Sequence, residues 1–210
     1  MNPDTRRELV LFVCTANVCR SPLGASAFAN AWGAAGVGDV RVESAGVDAD
    51  IGSPQCPVSV DVAVGASRAD SPHRARQLDA DDLSAAAIVL ALDRTQSAFA
   101  ARLLPQCRAR LFTLVQAANL AERVVGEFDT GPLPPDVPPR SSGLAAQLSW
   151  LVMQMDASRW MLAGIPADEL DLPDTHGAAD HAQPLRDVRE TAIRLADSMV
   201  RGLRIIGERG

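Results

Sequence analysis

Glu8-Leu9-Val10-Leu11-Phe12-Val13-Cys14-Thr15-Ala16-Asn17-Val18-Cys19-Arg20-Ser21-Pro22 is the stretch that decides the fold. Glu8 to Val13 is a short apolar run with β-branched and aromatic members, the pattern of a buried strand. Pro22 suits the first turn of a helix, and Leu23 to Trp32 is Ala-rich and helical, so Ser21 is expected to act as its N-cap. The loop between them lies beyond the carboxyl end of a strand, which is where open α/β sheets bind ligands.

The pattern continues outward from there. Gly33, Gly36 and Gly38 end the first helix, and Val40 to Ser44 alternates as a second strand. Pro54 to Ala66 is expected to be helical after a Gly-Ser-Pro turn. Ala86 to Leu92 reads as a third, fully buried strand, and Arg94 to Leu104 as a helix stopped by Pro105. Ala109 to Leu114 gives a fourth strand and Val115 to Val125 another helix. Strands alternating with helices predict an α/β fold of three layers, α/β/α, around a four-stranded parallel sheet. Phe128 to Arg140, rich in Pro and Gly, reads as a loop. Leu144, Leu148, Leu151, Val152 and Met155 recur at helical spacing, so Ser141 to Leu162 is expected to be one amphipathic helix. A second loop spans Gly164 to Gly177. Leu185, Val188, Ala192, Leu195, Met199 and Leu203 mark the apolar face of a last helix. The expected organisation is one domain over residues 1–210, with 128–166 as a loop-plus-helix insertion.

Chemistry concentrates in the first loop. A loop curling from strand to helix presents successive N–H groups to a common centre, and the helix N-terminus adds further donors and the positive end of its dipole. Arg20 supplies a planar fork for two oxygens of a tetrahedral anion. The same surroundings favour a thiolate at Cys14, a nucleophile aimed at phosphorus. Thr15, Ala16, Asn17, Val18, Cys19 and Ser21 would complete the cradle, and phosphate or sulfate is the ion expected in it. The plain alternative for Cys14 is a buried thiol at a strand end. A metal site on Cys14 and Cys19 lacks a second ligand pair in the sequence, and a Walker-type loop lacks its Gly-rich stretch and its Lys.

Composition narrows the partners. The 210-residue chain carries a net charge of −6 and is 47% hydrophobic, which suits a globular domain with a substantial core. The acidic balance argues against general nucleic-acid binding. No apolar run is long enough to span a bilayer, so no membrane partner is expected. Met1 to Leu9 is polar and charged, unlike a signal peptide, and a cytoplasmic location with reduced cysteines is expected.

Phe12-Val13-Cys14-Thr15-Ala16-Asn17-Val18-Cys19-Arg20-Ser21-Pro22 resembles the signature of the low-molecular-weight protein tyrosine phosphatases, with Ala16 where that family usually has Gly. The resemblance runs on through Ser44-Ala45-Gly46, His73-Arg74-Ala75-Arg76-Gln77-Leu78 and Asp82-Leu83. It implies that Cys14 takes the phosphoryl group, Arg20 binds it, and water then hydrolyses a cysteinyl phosphate, with no metal or organic cofactor. It further implies that Asn17 holds the loop in a left-handed turn, linked with Ser21, Ser44 and His73. It also implies a reversible disulfide between Cys19 and Cys14. Cys56 and Cys107 are read as structural.

The family's general acid is an Asp followed by Pro ahead of the last helix. The nearest match here is Asp171-Leu172-Pro173-Asp174-Thr175-His176-Gly177, with Thr175 in place of Pro and His176 where an aromatic often stands. Asp174 is therefore the expected acid, with Asp136 and then Asp129 as rivals. Val47, Asp48, Ala49, Asp50 and Ile51 supply none of the aromatic side chains with which the family flanks a phenol ring. Trp150 and Trp160 could form a wall, although helical spacing places both in the core. The expected activity is hydrolysis of phosphomonoesters, small ones or phosphotyrosine on proteins. An arsenate reductase on the same fold and a non-catalytic phosphate-binding module are the alternatives; the first is disfavoured because Cys107 stands alone.

Overall fold

A computed structural model of the chain describes residues 8–63, 72–174 and 181–209. Four strands, β1 (Glu8–Cys14), β2 (Val40–Gly46), β3 (Ala86–Ala91) and β4 (Leu111–Thr113), form one sheet in the order β2-β1-β3-β4. Every pairing is parallel. The helices are α1 (Arg20–Ala35), α2 (Pro57–Val62), α3 (Ala80–Ala85), α4 (Arg94–Leu103), α5 (Leu114–Thr130), α6 (Gly143–Ala157) and α7 (Ala182–Arg209).

Period-2 alternation along β1 explains the layers. Val10, Phe12 and Cys14 point into a core shared with α1, α5, α6 and α7. Leu9, Leu11 and Val13 point into a smaller core with Leu83 of α3, Ala100 of α4 and Cys107. A sheet buried on both faces needs the near-continuous apolar strands seen in the sequence, and the expected α/β/α architecture is the one found. No described helix is long and apolar enough to cross a membrane.

Several expected elements differ in extent. Helix α1 begins at Arg20, with Cys19 as its N-cap. Ser21 does not cap it, because the Ser21 hydroxyl is engaged by Cys14 Sγ at 3.0 Å and Asn17 Nδ2 at 2.9 Å. The helix expected from Pro54 starts only at Pro57. Cys56 precedes a proline and stays extended, at φ −54 and ψ 132, while its N–H donates to Val18 O. Helix α5 runs on to Thr130, started by a Thr113–Gln116 capping box. The short helix α3 is opened by a similar box between Asp79 and Asp82.

The single helix expected over Ser141 to Leu162 is divided. Helix α6 ends at Ala157, and Arg159–Leu162 forms a 3₁₀ turn. Arg159 is the reason: its guanidinium donates to Leu111 O at 2.8 Å and Arg108 O at 3.1 Å, and lies over the Phe112 ring. Those anchors at β4 pull the chain out of α-helical register. Trp150 is buried and stacks on Phe128, whereas Trp160, expected in the core, is 70% exposed on the 3₁₀ turn.

Candidate active site

The loop from Cys14 to Cys19 is shaped from outside. Cys14 O accepts from Val47 N, Thr15 O from Asp48 N, and Ala16 O from Asp50 N. Asn17 O accepts from His73 Nε2 at 2.7 Å, Val18 O from Cys56 N, and Cys19 O from Ser59 Oγ at 2.9 Å. In a trans peptide the C=O of one residue and the N–H of the next point in opposite directions. With each carbonyl drawn outward, the amides of residues 15–20 turn toward the interior of the loop, the arrangement of an anion nest.

Asn17 is the keystone of this ring. It is the sole non-glycine among the described residues with positive φ, at 57°, a conformation Asn tolerates better than most residues. Its fully buried side chain donates from Nδ2 to Ser21 Oγ and Ser44 Oγ, each at 2.9 Å. Its Oδ1 accepts from Arg76 N at 2.9 Å. Gly46 is required beside it, since a Cβ there would stand 2.4 Å from Thr15 O. Burial holds the His73 imidazole below its ordinary value of 6.5, although its bond to Asn17 O works in the other direction. A neutral ring with its proton on Nε2 is the form that donates here.

Cys14 ends β1 with its sulfur against the Ser21 hydroxyl, which can donate to it and so stabilise negative charge there. Arg20 is 4% exposed and spans the mouth of the loop. Its NH2 group donates to Asp174 Oδ2 at 2.6 Å and Thr15 Oγ1 at 3.5 Å, while NH1 donates to Leu172 O at 3.0 Å and Asp93 Oδ2 at 3.3 Å. The rival carboxylates are elsewhere: Asp129 pairs with Arg201 of α7, and Asp136 is exposed in a turn closed by Pro134 O and Val137 N. Thr175 and His176 lie outside the described residues.

Asp93 and Gln96 were not singled out from sequence. Asp93 caps α4 and pairs with Arg20, and Gln96 donates to Thr15 Oγ1 at 3.2 Å and Asp93 Oδ2 at 2.7 Å. Their capping-box spacing at the start of a helix was the available signal. The sequence shows no second ligand pair for Cys14 and Cys19, yet Cys56 and His181 converge on Cys19 across long stretches of chain. Cys107, by contrast, is buried on the opposite face of the sheet.

Residues 9–126 match the low molecular weight phosphotyrosine protein phosphatase family. The chain belongs to that family. A protein-arginine-phosphatase of Geobacillus stearothermophilus is 30% identical over 124 residues, which are 59% of this chain and 80% of the relative. Low molecular weight protein-tyrosine phosphatase A of Mycobacterium tuberculosis is 42% identical over 125 residues, which are 57% of this chain and 66% of the relative. A solved structure of a low molecular weight protein tyrosine phosphatase from T. tengcongensis is 29% identical, with 74% of this chain and 97% of that one covered and a TM-score of 0.46. As a member of the family, the chain is a cysteine-dependent phosphatase acting on phosphorylated substrates, and the phosphatase reading stands over the reductase and the non-catalytic module.

Proposed function

We propose that Cys14 is the nucleophile of this phosphatase, Arg20 its phosphate-binding fork and Asp174 its general acid, with phosphotyrosine on proteins as the substrate. The observation that carries the reading is the outward anchoring of all six carbonyls from Cys14 to Cys19 beside a buried guanidinium. Donors fixed in this way meet the charge that develops on the equatorial phosphoryl oxygens without reorganising. The Cys14 thiolate attacks phosphorus, the S–P bond forms as the P–O bond to the leaving group breaks, and the Asp174 proton passes to the departing oxygen. Asp174 then takes a proton from the water that cleaves the S–P bond, which releases phosphate and restores the thiolate. A phosphate held by Arg20 would replace Asp174 as the guanidinium's partner. Residues 128–166 are, on this reading, an insertion that leaves the acid segment in place ahead of α7.

Turnover of p-nitrophenyl phosphate is expected to vanish in Cys14→Ser. In Asp174→Asn it is expected to fall by about 10²–10³-fold, and further for esters with poorer leaving groups. Equal turnover by wild type and Cys14→Ser would end the proposal. A uniform loss across leaving groups would move the acid elsewhere.

A second substrate, phosphoarginine, is favoured by a specific feature of the rim. Asp48 and Asp50 are exposed there, and their N–H groups bond Thr15 O and Ala16 O. Carboxylates at the rim suit a guanidinium leaving group better than a phenol ring. Comparing kcat/KM on a phosphotyrosine peptide and a phosphoarginine peptide decides between them.

A further inference from the structure

Cys19, Cys56 and His181 each stand immediately before a helix, α1, α2 and α7 in turn. Their Sγ, Sγ and imidazole nitrogen atoms all lie within 4.8 Å of one another. Both cysteines are buried and neither is in a disulfide. We propose that Cys19, Cys56 and His181 form a site for a borderline-soft ion of the zinc class, built against the outer wall of the phosphate loop.

The geometry fits that ion. Ligands at ordinary Zn–S and Zn–N lengths around a tetrahedral ion stand about 3.6 Å apart, and Cys56 Sγ is 3.5 Å from His181 Nε2. The donor set is two sulfurs and one imidazole nitrogen, which hard cations such as Mg²⁺ and Ca²⁺ do not select. Both cysteines are buried in the main core, with His181 half-buried beside them.

The frame is fixed before any ion arrives. Cys56 N donates to Val18 O at 2.9 Å, and Ser59 Oγ donates to Cys19 O at 2.9 Å. Ser59 in turn accepts from Gln55 Nε2 at 2.7 Å. Both sulfurs are therefore carried on backbone that is already tied together. Burial, reinforced by the neighbouring Cys56 thiol and by Cys14 and Asp174, pushes the Cys19 thiol up. A bound ion deprotonates its thiol ligands and releases those protons. The ion would tie together three segments far apart in the chain, and bound to the native state alone it would add stability.

The test uses the full chain, anaerobic and reduced with a phosphine. One equivalent of Co²⁺ is expected to give a thiolate-to-cobalt charge-transfer band and the visible d–d bands of a tetrahedral ion, both displaced by one equivalent of Zn²⁺. Cys56→Ser and His181→Ala are each expected to weaken Zn²⁺ by at least about tenfold in competition with a chromophoric chelator. Cys14→Ser should bind as wild type does. Zn²⁺ should raise the thermal midpoint of wild type by several degrees and leave that of His181→Ala unmoved. His181→Ala should also keep its metal-free turnover, which separates loss of a ligand from loss of the fold. An octahedral cobalt spectrum without a thiolate band would overturn the site. So would binding that Cys14→Ser abolishes and that Cys56→Ser and His181→Ala leave intact.

Discussion

Asn17 shows how one side chain can fix the shape of a loop. Its left-handed turn and its links with Ser21, Ser44 and His73 were legible through the family resemblance. The bond from the Arg76 N–H to its Oδ1 was not, because it comes from the main chain of a distant segment. Asn17→Ala places an alanine at φ 57° and leaves Ser21, Ser44 and the Arg76 N–H each short of a partner. It is expected to cost about 2–4 kcal/mol on the scale of buried unsatisfied groups and to lower kcat/KM by at least about tenfold, read by urea unfolding and p-nitrophenyl phosphate turnover. His73 gives the site a pH signature. Its folded-state value lies below its ordinary 6.5, so between those two values the unfolded chain binds the proton and the native chain does not. Stability from this group is complete above pH 6.5 and falls as the pH drops toward the folded value. In His73→Gln that portion of the slope should disappear from urea midpoints measured between pH 5 and 7.5. An unchanged slope would mean that His73 titrates alike in both states.

At the scale of elements, the segment carrying Asp174 is a strap pinned to the ends of β3 and β4. Thr113 Oγ1 donates to Leu170 O at 2.5 Å, and Leu172 N donates to Leu92 O at 2.8 Å. Asp171 accepts from Arg94 N at 3.0 Å and Arg94 Nε at 2.7 Å. Asp171→Ala removes one pin and touches no part of the phosphate loop. A several-fold fall in kcat with KM and thermal midpoint nearly unchanged is the expected result, because the pair is partly exposed and adds little stability, while the proposed general acid Asp174 tolerates little drift in its placement. Unaltered kcat would show that the remaining pins suffice. The strap is only partly legible in the sequence: Asp171 to Asp174 resembles the family's acid loop, but its anchors belong to the packing of strand ends. The central strands β1 and β3 were readable because both faces of the sheet are buried there, which leaves short, nearly continuous apolar runs. The six-residue α3 was missed because a single turn has no periodicity, and the break in α6 because Arg159 looks like any helical Arg until Leu111 and Arg108 are beside it.

At the scale of the whole molecule, α7 is the element that seats the C-terminal part of the chain on the catalytic half, and two glycines set how closely it approaches. Its apolar face was readable from Leu185 to Leu203. Gly202, inside that helix, was not recognisable as a point of close packing, since sequence gives no view of what faces it. A Cβ at Gly202 would stand 2.8 Å from Val125 Cγ2 on α5, with Leu151 of α6 at 3.4 Å. At Gly24 on α1 it would stand 2.9 Å from the buried Phe12 ring of β1 and 3.5 Å from Val188 of α7. Gly207, five residues further along α7 than Gly202, has nothing within 4 Å. The same substitution in one helix should therefore act with opposite signs. Gly202→Ala forces α7 away from α5 and is expected to destabilise by about 1–3 kcal/mol, as overpacking does. Gly207→Ala only restricts the unfolded chain and improves helix propensity, and is expected to stabilise by about 0.5–1 kcal/mol. Thermal or urea unfolding of the two variants reads the difference directly. If both stabilise, propensity rather than close approach governs this helix, and the packing of α7 against α5 is looser than the 2.8 Å approach requires.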